Sequence, residues 1–284
     1  MDYTTLVSTD LLAGHLDDPA WVVVDCRFEL KDPEWGLAEY QKAHIPGAVY
    51  AHLDRDLAGP VTPATGRHPL PDPEAFSARL SSWGIDGSKQ VVAYDTAGGA
   101  YAARLWWMLR YFGHTAVALL DGGFPKWTRE GRPTRAGVET RPPVRFDGAP
   151  RSGAVADAQE VDRTRLDPAY RLIDARSAVR FRGEQEPIDP VAGHIPGAIN
   201  RFHGENLGPD GAFLPSDELK QQFEALLGDV PPERAVVYCG SGVTSAHHLV
   251  AMEHAGMKGA RLYVGSWSEW IRDARRARGS GDVK

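Results

Sequence analysis

The chain has 284 residues, 42% of them hydrophobic and 25% charged, which is ordinary for a globular protein and long enough for two domains. Its formal net charge of −6 argues against nucleic acid as the main partner. No apolar run approaches the roughly 18 residues needed to cross a bilayer, and no secretory signal is evident at the N-terminus. Because the only cysteines are Cys26 and Cys239, we expect no disulfide scaffold or cysteine-rich metal site, and a cytoplasmic location without a membrane partner.

Each half of the chain alternates short β-branched strands with helical segments. In the first half the pattern predicts strands over 21–25 and 91–95 and helices over 74–80 and 102–110. In the second half it predicts strands over 171–176 and 236–238 and helices over 218–227 and 245–254. The alternation predicts an α/β fold in which each half forms a parallel sheet flanked by helices on both faces.

Four segments recur in the same order about 150 positions later, which indicates an internal duplication. The matching pairs are 21–27 with 171–176, 43–49 with 193–199, 91–95 with 236–239, and 120–127 with 263–270. We therefore expect an N-terminal domain over 1–130 and a C-terminal domain over 155–284, joined by a linker over 131–154 that is rich in Pro, Arg and Gly. The charged tail from residue 275 is predicted to be disordered.

The stretch with the clearest chemical content follows the strand at 236–238. Cys239 comes directly after that strand and is followed by Gly240 and Gly242, and then by a helix. Backbone N–H groups of such a turn and of the first helical turn converge on one point, where they stabilise negative charge. A thiol at that point loses its proton more easily, so the pattern predicts a reactive thiolate at the mouth of a loop.

A packing role for Cys239 is the simpler alternative, because a lone cysteine after two valines is usually a small buried apolar residue. The two glycines favour the reactive interpretation, since a packing cysteine does not require a close turn with positive φ angles. In a parallel sheet, ligands also bind beyond the carboxyl ends of the strands, which is where Cys239 lies. Cys26 has no such loop and is interpreted as a packing residue.

The cysteine loop, the two His-Ile-Pro-Gly-Ala segments and the duplicated layout resemble the two-domain rhodanese superfamily of sulfurtransferases over nearly the whole chain. The loop is most similar to that of the 3-mercaptopyruvate sulfurtransferases and is formed by Cys239, Gly240, Ser241, Gly242, Val243 and Thr244. The resemblance implies two tandem rhodanese-like domains with the catalytic cysteine in the second. In the first, Asp95 stands where the cysteine would be.

The resemblance also implies a mechanism without metal or cofactor. Cys239 takes sulfur from a small donor, 3-mercaptopyruvate or alternatively thiosulfate, and carries it as a persulfide. The sulfur then passes to a thiol or cyanide acceptor, with a thioredoxin-like reductant among the candidates. In the family a loop serine, a histidine and an aspartate handle protons, and Ser241, His68 and Asp54 match them. From the residues alone, His68 also fits a loop histidine without a role, and Asp54 a solvated carboxylate.

Two arginines bind the substrate carboxylate in that family. Arg180 matches the first, but Ile188-Asp189 stands where the second is expected, after Glu186-Pro187. This replacement removes a cation and adds an anion, which predicts weaker binding of mercaptopyruvate. Arg182 is a candidate replacement, and a plain surface arginine is an equally good interpretation.

Two other classes of function are weighed against a sulfurtransferase. A cysteine phosphatase needs an arginine six residues after the cysteine to bind phosphate oxygens, and that position holds Ser245. A binding module without catalysis does not need the intact cysteine loop. Sulfur transfer is therefore the favoured function.

Overall fold

The computed structural model of the protein describes residues 2–282, which form two compact units. The first unit contains residues 2–59 together with Leu70–Arg151 and Leu207–Phe213. The second contains Pro60–Pro69, Ser152–Asn206 and residues 214–282. Residues 283 and 284, at the end of the tail predicted to be disordered, lie outside the described part of the chain.

The first unit is built on a five-stranded parallel sheet of order β1-β5-β4-β2-β3. Its strands are β1 (Leu6–Val7), β2 (Trp21–Asp25), β3 (Val49–Tyr50), β4 (Gln90–Tyr94) and β5 (Val117–Leu120). Its helices are α1 (Thr9–Ala13), α2 (Trp35–Lys42), α3 (Leu53–Asp56), α4 (Pro73–Ser82), α5 (Ala102–Tyr111) and α6 (Gly123–Arg129).

The second unit repeats this arrangement with a parallel sheet of order β6-β10-β9-β7-β8. Its strands are β6 (Val155–Ala156), β7 (Arg171–Asp174), β8 (Ile199–Asn200), β9 (Ala235–Tyr238) and β10 (Arg261–Tyr263). Its helices are α7 (Ala158–Thr164), α8 (Ala178–Phe181), α9 (Ser216–Leu227), α10 (Ala246–His254) and α11 (Ser266–Trp270), with 3-10 turns at His203–Asn206 and Pro232–Arg234. The predicted α/β fold with two parallel sheets is confirmed.

The central strands explain why each half forms a sheet with helices on both sides. Every residue of β4 and of β9 is buried, and both strands are rich in valine. A strand that is buried on both faces reads as a continuous apolar run, as these two do. The predicted helices and strands in both halves are confirmed, with bounds that differ from the prediction by no more than two residues.

A buried ion pair recurs at the end of the strand beside each central strand. In the first unit, Arg27 donates to the Asp25 carboxylate with distances of 2.6–3.0 Å, and in the second Arg176 donates to Asp174 with distances of 2.6–3.1 Å. Asp174 pairs in register with Tyr238, the last residue of β9. The carboxylate therefore lies at the edge of the sheet where the cysteine loop begins.

The two His-Ile-Pro-Gly-Ala segments fix turns and carry buried histidines. His44 Nδ1 lies 2.7 Å from the Tyr40 carbonyl oxygen, and His194 Nδ1 lies 2.8 Å from that of Phe181. Each imidazole also stacks on the ring of that partner, with centroids 4.2 and 3.9 Å apart. In both units the histidine Nδ1 lies against the carbonyl of an aromatic residue and the imidazole stacks on its ring, which fits a structural role.

The prediction of disorder from residue 275 is wrong for residues 275–282. Gly279 exchanges two backbone hydrogen bonds with His194, at 2.8 and 2.9 Å, and Trp270 donates its indole N–H to the Ala277 carbonyl at 2.9 Å. The composition of the tail is polar, but its backbone bonds to the buried segment at His194. Within residues 2–282, no helix is long and apolar enough to cross a membrane, and no group of three or more His, Cys, Asp or Glu residues could hold a metal ion.

Candidate active site

Cys239 is held at the end of the central strand of the second unit by its own backbone. Its N–H donates to the Ser266 hydroxyl at 3.1 Å, and its carbonyl accepts the Trp267 N–H at 3.0 Å. Ser266 has a φ angle of 54°, which is unusual for a residue with a side chain. We expected the cysteine at a loop mouth, but the residue is only 2% exposed. The loop therefore closes around the thiol.

The turn after Cys239 requires its second glycine. Gly242 has a φ angle of 75°, and a methyl group at that position would collide with the Val264 carbonyl oxygen. Val243 and Thr244 then direct their carbonyls into the start of α10, where they accept N–H groups from Ala246 and His247. The loop is thus a tight turn that leads directly into a helix, as the sequence predicts.

The thiol of Cys239 lies among hydrogen-bond donors. Burial raises the pKa of the thiol, but the hydroxyls of Ser245 and Thr244 and the N–H groups of Ser241 and Ser245 donate to it and lower the pKa below its ordinary value. The Ser245 hydroxyl lies 3.4 Å from the sulfur. By contrast, burial and three nearby carboxylates raise the pKa of the Cys26 thiol well above its ordinary value. Of the two cysteines, Cys239 therefore has the lower thiol pKa and is the candidate nucleophile.

The hydroxyl of Ser245 is a functional group that the sequence motif did not reveal, because the position drew attention only as the place of a phosphatase arginine. Ser245 is the residue before α10, where a short polar side chain often donates or accepts at a helix start. That position relative to the cysteine is the signal that would have identified it. A hydroxyl here also excludes the guanidinium that a phosphatase of this type would place over the loop.

His68 and Ser241 are brought together in the second unit. His68 Nδ1 lies 2.7 Å from the Ser241 hydroxyl oxygen, and both residues are 5% exposed. A buried serine–histidine contact permits a proton to pass between the hydroxyl and the imidazole. The pairing that the resemblance implied is therefore geometrically possible.

The sequence also predicts site roles for Asp54 and Arg182. Asp54 lies on α3 of the first unit, where its backbone N–H donates to His52 Nδ1 at 3.1 Å. Arg182 donates to the Glu184 carboxylate at 2.7 and 3.0 Å, and its side chain is 29% exposed. The proton-handling role of Asp54 stays a prediction. Arg182 is not among the groups nearest to the glycine that follows Cys239.

Two arginines lie beside the loop, and one of them was not predicted. A methyl group placed on Gly240 would lie 2.8 Å from Nη2 of Arg67 and 3.6 Å from Nη2 of Arg180. Arg180 donates to Glu186 at 2.7 and 3.1 Å and to Asp189 at 3.2 Å. Arg67 forms an ion pair with Asp189. The sequence signal for Arg67 was its position next to His68.

The equivalent loop of the first unit holds an anion of its own. The Asp95 carboxylate accepts four backbone N–H groups at 2.8–2.9 Å, from Ala97, Gly99, Tyr101 and Ala102. Asp95 is fully buried. Its side chain thus occupies the centre of the turn that in the second unit surrounds the cysteine sulfur.

Comparisons with known proteins agree with this geometry. The rhodanese-like domain profile matches residues 8–130 and 157–273. A probable 3-mercaptopyruvate sulfurtransferase from Pseudomonas aeruginosa is 48% identical over 99% of this chain and 100% of the relative, and a putative thiosulfate sulfurtransferase from Mycobacterium tuberculosis is 38% identical over 97% of each. The crystal structure of the Escherichia coli 3-mercaptopyruvate enzyme matches with a TM-score of 0.81 and 34% identity, covering 94% of this chain and 100% of that one. The chain therefore belongs to the two-domain sulfurtransferases of the rhodanese superfamily.

Proposed function

We propose that this protein takes sulfur from 3-mercaptopyruvate onto Cys239 and passes it to a thiol or to cyanide. The observation that carries the proposal is the loop around the buried Cys239 sulfur, in which two hydroxyls and two backbone N–H groups donate to the sulfur and lower its pKa. Those donors stabilise a thiolate before the reaction and a persulfide anion after it. The similarity to proteins named as 3-mercaptopyruvate sulfurtransferases supports the choice of donor.

The first half of the reaction forms an S–S bond and breaks a C–S bond. The Cys239 thiolate attacks the sulfur of mercaptopyruvate, and the electron pair of the C–S bond moves onto the departing carbon as the enolate of pyruvate. The proton of the donor thiol ends on that carbon, so that thiolate and mercaptopyruvate give persulfide anion and pyruvate. In the second half the acceptor attacks the outer sulfur and the Cys239 thiolate leaves.

Ser241 and His68 handle the proton in this scheme. The enolate carbon needs a proton, and the Ser241 hydroxyl is held 2.7 Å from an imidazole nitrogen that can resupply it. The assignment of Asp54 as a third member of the relay rests on the family resemblance. Gly240, Gly242, Val243 and Thr244 shape the loop that surrounds the transferred sulfur.

Arg180 binds the carboxylate of the donor. Its guanidinium lies beside Gly240, next to the nucleophile, and a charge-assisted hydrogen bond there contributes on the order of 1.5–3 kcal/mol. Thiosulfate is the second candidate donor, which the similarity to a putative thiosulfate sulfurtransferase supports. The acceptor is a small thiol, cyanide or a thioredoxin-like reductant, and the two free cysteines suit the reducing cytoplasm that we propose as the compartment.

The test is to compare kcat/KM for mercaptopyruvate and thiosulfate with cyanide as acceptor, alongside intact-mass measurement after donor treatment. We expect one added sulfur on Cys239 and a higher kcat/KM for mercaptopyruvate. Arg180→Ala should depress turnover of mercaptopyruvate far more than that of thiosulfate. A protein that gains no sulfur from either donor would contradict the proposed function.

A further inference from the structure

Asp189 bridges the two arginines that lie beside the cysteine loop. One carboxylate oxygen pairs with Arg67 and the other accepts from Arg180 at 3.2 Å, and the Asp189 side chain is only 2% exposed. The residue occupies a position at which the family resemblance led us to expect a cation. An anion there would repel the carboxylate of a donor unless it served to hold another cation.

Arg67 is fixed in place from its backbone as well as from its head group. Its N–H donates to the Ser268 hydroxyl at 3.0 Å, and its neighbour His68 contacts Ser241 of the loop. Ser268 in turn donates its own N–H to the Gly240 carbonyl at 2.9 Å. The loop and the Arg67 backbone are thus connected through one serine, so the guanidinium has a defined position beside the nucleophile.

The guanidinium of Arg67 has a hydrogen-bond donor that no group in the described part of the chain accepts. Its Nε atom is buried and has no hydrogen-bond partner within residues 2–282. An unsatisfied buried donor is costly, and it is usually explained by a ligand or an ordered water. Arg180 differs, because Glu186 accepts from both its Nε and its Nη2 atoms.

The ion pairs of the neighbouring arginines support the same interpretation. Arg176 is paired with both Asp174 and Glu186, and Arg180 with both Glu186 and Asp189. Within the described part of the chain, Arg67 is ion-paired with Asp189 alone. Of Arg67, Arg176 and Arg180, Arg67 therefore has the fewest carboxylate partners.

We infer that Arg67 is the second carboxylate-binding arginine of this enzyme and that Asp189 is the positioning residue that holds it beside Gly240. The inference rests on the proposed function and names the chemical group that is recognised, the carboxylate of a 2-oxo acid sulfur donor. The cation expected after Glu186-Pro187 is on this view supplied from the segment 60–69 instead. Asp189 then does not weaken binding of the donor, because its negative charge is paired with Arg67 and Arg180 and orients them.

The experiment compares mercaptopyruvate with its methyl ester, which carries the same sulfur but no carboxylate. Arg67→Met should lower kcat/KM for the acid by about tenfold or more, mainly through KM, and should change that for the ester much less. Arg275→Met is the matched control, since Arg275 is an ion-paired arginine of the same unit whose side chain is 90% exposed. This control should leave kcat/KM unchanged for both the acid and the ester.

A charge exchange tests the positioning role of Asp189. Asp189→Arg alone should lower kcat/KM for the acid, because it places two cations together and releases Arg67. Combining it with Arg67→Asp restores the ion pair with the guanidinium on the other partner, and should recover part of the preference for acid over ester. If Arg67→Met fails to fold, as judged by thermal unfolding, Arg67→Lys takes its place and should still reduce the ratio of acid to ester.

The outcomes separate the inference from the function on which it rests. If the wild-type protein acquires no sulfur on Cys239 from the acid or the ester, the proposed function is wrong. If it acquires sulfur but Arg67 variants lose activity equally with both donors, Arg67 supports the loop and the inference is overturned. An unchanged ratio in every Arg67 variant overturns it as well.

Discussion

The Nδ1 atom of His68 lies 2.7 Å from the Ser241 hydroxyl oxygen, although 173 positions separate the two residues in the chain. This contact matters for one class of donor. Mercaptopyruvate leaves as an enolate that needs a proton on carbon, whereas thiosulfate leaves as sulfite, which needs none. Ser241→Ala and His68→Gln should therefore reduce kcat for mercaptopyruvate much more than for thiosulfate. Equal losses with both donors would mean that the pair only supports the loop.

The two cysteines should differ completely in sulfur transfer. Cys239→Ser removes the nucleophile and should abolish activity, whereas Cys26→Ser should leave it nearly intact, because burial keeps the Cys26 thiol protonated. Mass spectrometry of donor-treated protein, followed by peptide mapping, locates the added sulfur. A sulfur found on Cys26 would contradict the assignment.

The lowered pKa of Cys239 should be visible in both reactivity and stability. Alkylation of Cys239 should show an inflection below the reference pKa of about 8.5, and Ser245→Ala, which removes a donor, should move it upward. Between the folded-state pKa and about 8.5 the unfolded chain binds more protons than the folded one. Wild-type stability relative to Cys239→Ser should thus rise with pH through this window, be complete above it, and be lost as pH falls through the folded-state pKa. A flat difference measured by urea unfolding would contradict the prediction.

Gly242 offers a test of the loop with a matched control. Gly242 and Gly256 have nearly the same φ angles, 75° and 77°, but a methyl group collides with the Val264 carbonyl only at Gly242. Gly256→Ala should cost about 1–2 kcal/mol for the backbone conformation alone. Gly242→Ala should cost clearly more and should also abolish sulfur transfer, because the loop must open. Similar free energies of unfolding for the two variants would show that the collision is relieved elsewhere.

Ser266 tests how the cysteine is held. Its hydroxyl accepts the Cys239 N–H at 3.1 Å and donates to the Tyr263 carbonyl at 2.8 Å, while its φ angle of 54° disfavours a side chain. Ser266→Ala keeps the backbone penalty and loses both hydrogen bonds, so we expect a loss of about 1–3 kcal/mol. Ser266→Gly removes the penalty and should cost less. The opposite order in urea unfolding would mean that the hydroxyl contributes little.

The sequence was sufficient to predict the features that depend on local pattern. The buried strands, the cysteine at the end of β9, the glycine turn and the duplication all follow from residues that are close together in the chain. The wrong prediction about the tail shows the limit of composition, because the backbone contact of Gly279 with His194 has no signature in polar residues.

The charges beside the loop could not be predicted, since they come from distant segments. The ion pair of Arg67 with Asp189 joins residues 122 positions apart, and no sequence motif indicates that the two are paired. In the sequence Asp189 therefore looks like the loss of a cation, whereas its effect depends on the position of Arg67. Ser245 was overlooked for a related reason, because its hydroxyl acts only once the turn has brought it to 3.4 Å from the sulfur.

The carboxylate of Asp95 is covalently tethered to the turn whose N–H groups it accepts. Because the carboxylate is part of the chain, neither dilution, salt nor the supply of sulfur can remove it from that turn. The Cys239 sulfur is tethered in the same way, but the group at the centre of its loop changes, because in the proposed reaction the thiolate gains a second sulfur atom and becomes a persulfide anion of the same charge. In the proposed reaction, sulfur loading therefore changes the group inside one turn and leaves its counterpart in the first unit unchanged. Of the two corresponding turns, one holds a fixed carboxylate and the other holds a sulfur that accepts and releases a second sulfur atom in each proposed catalytic cycle.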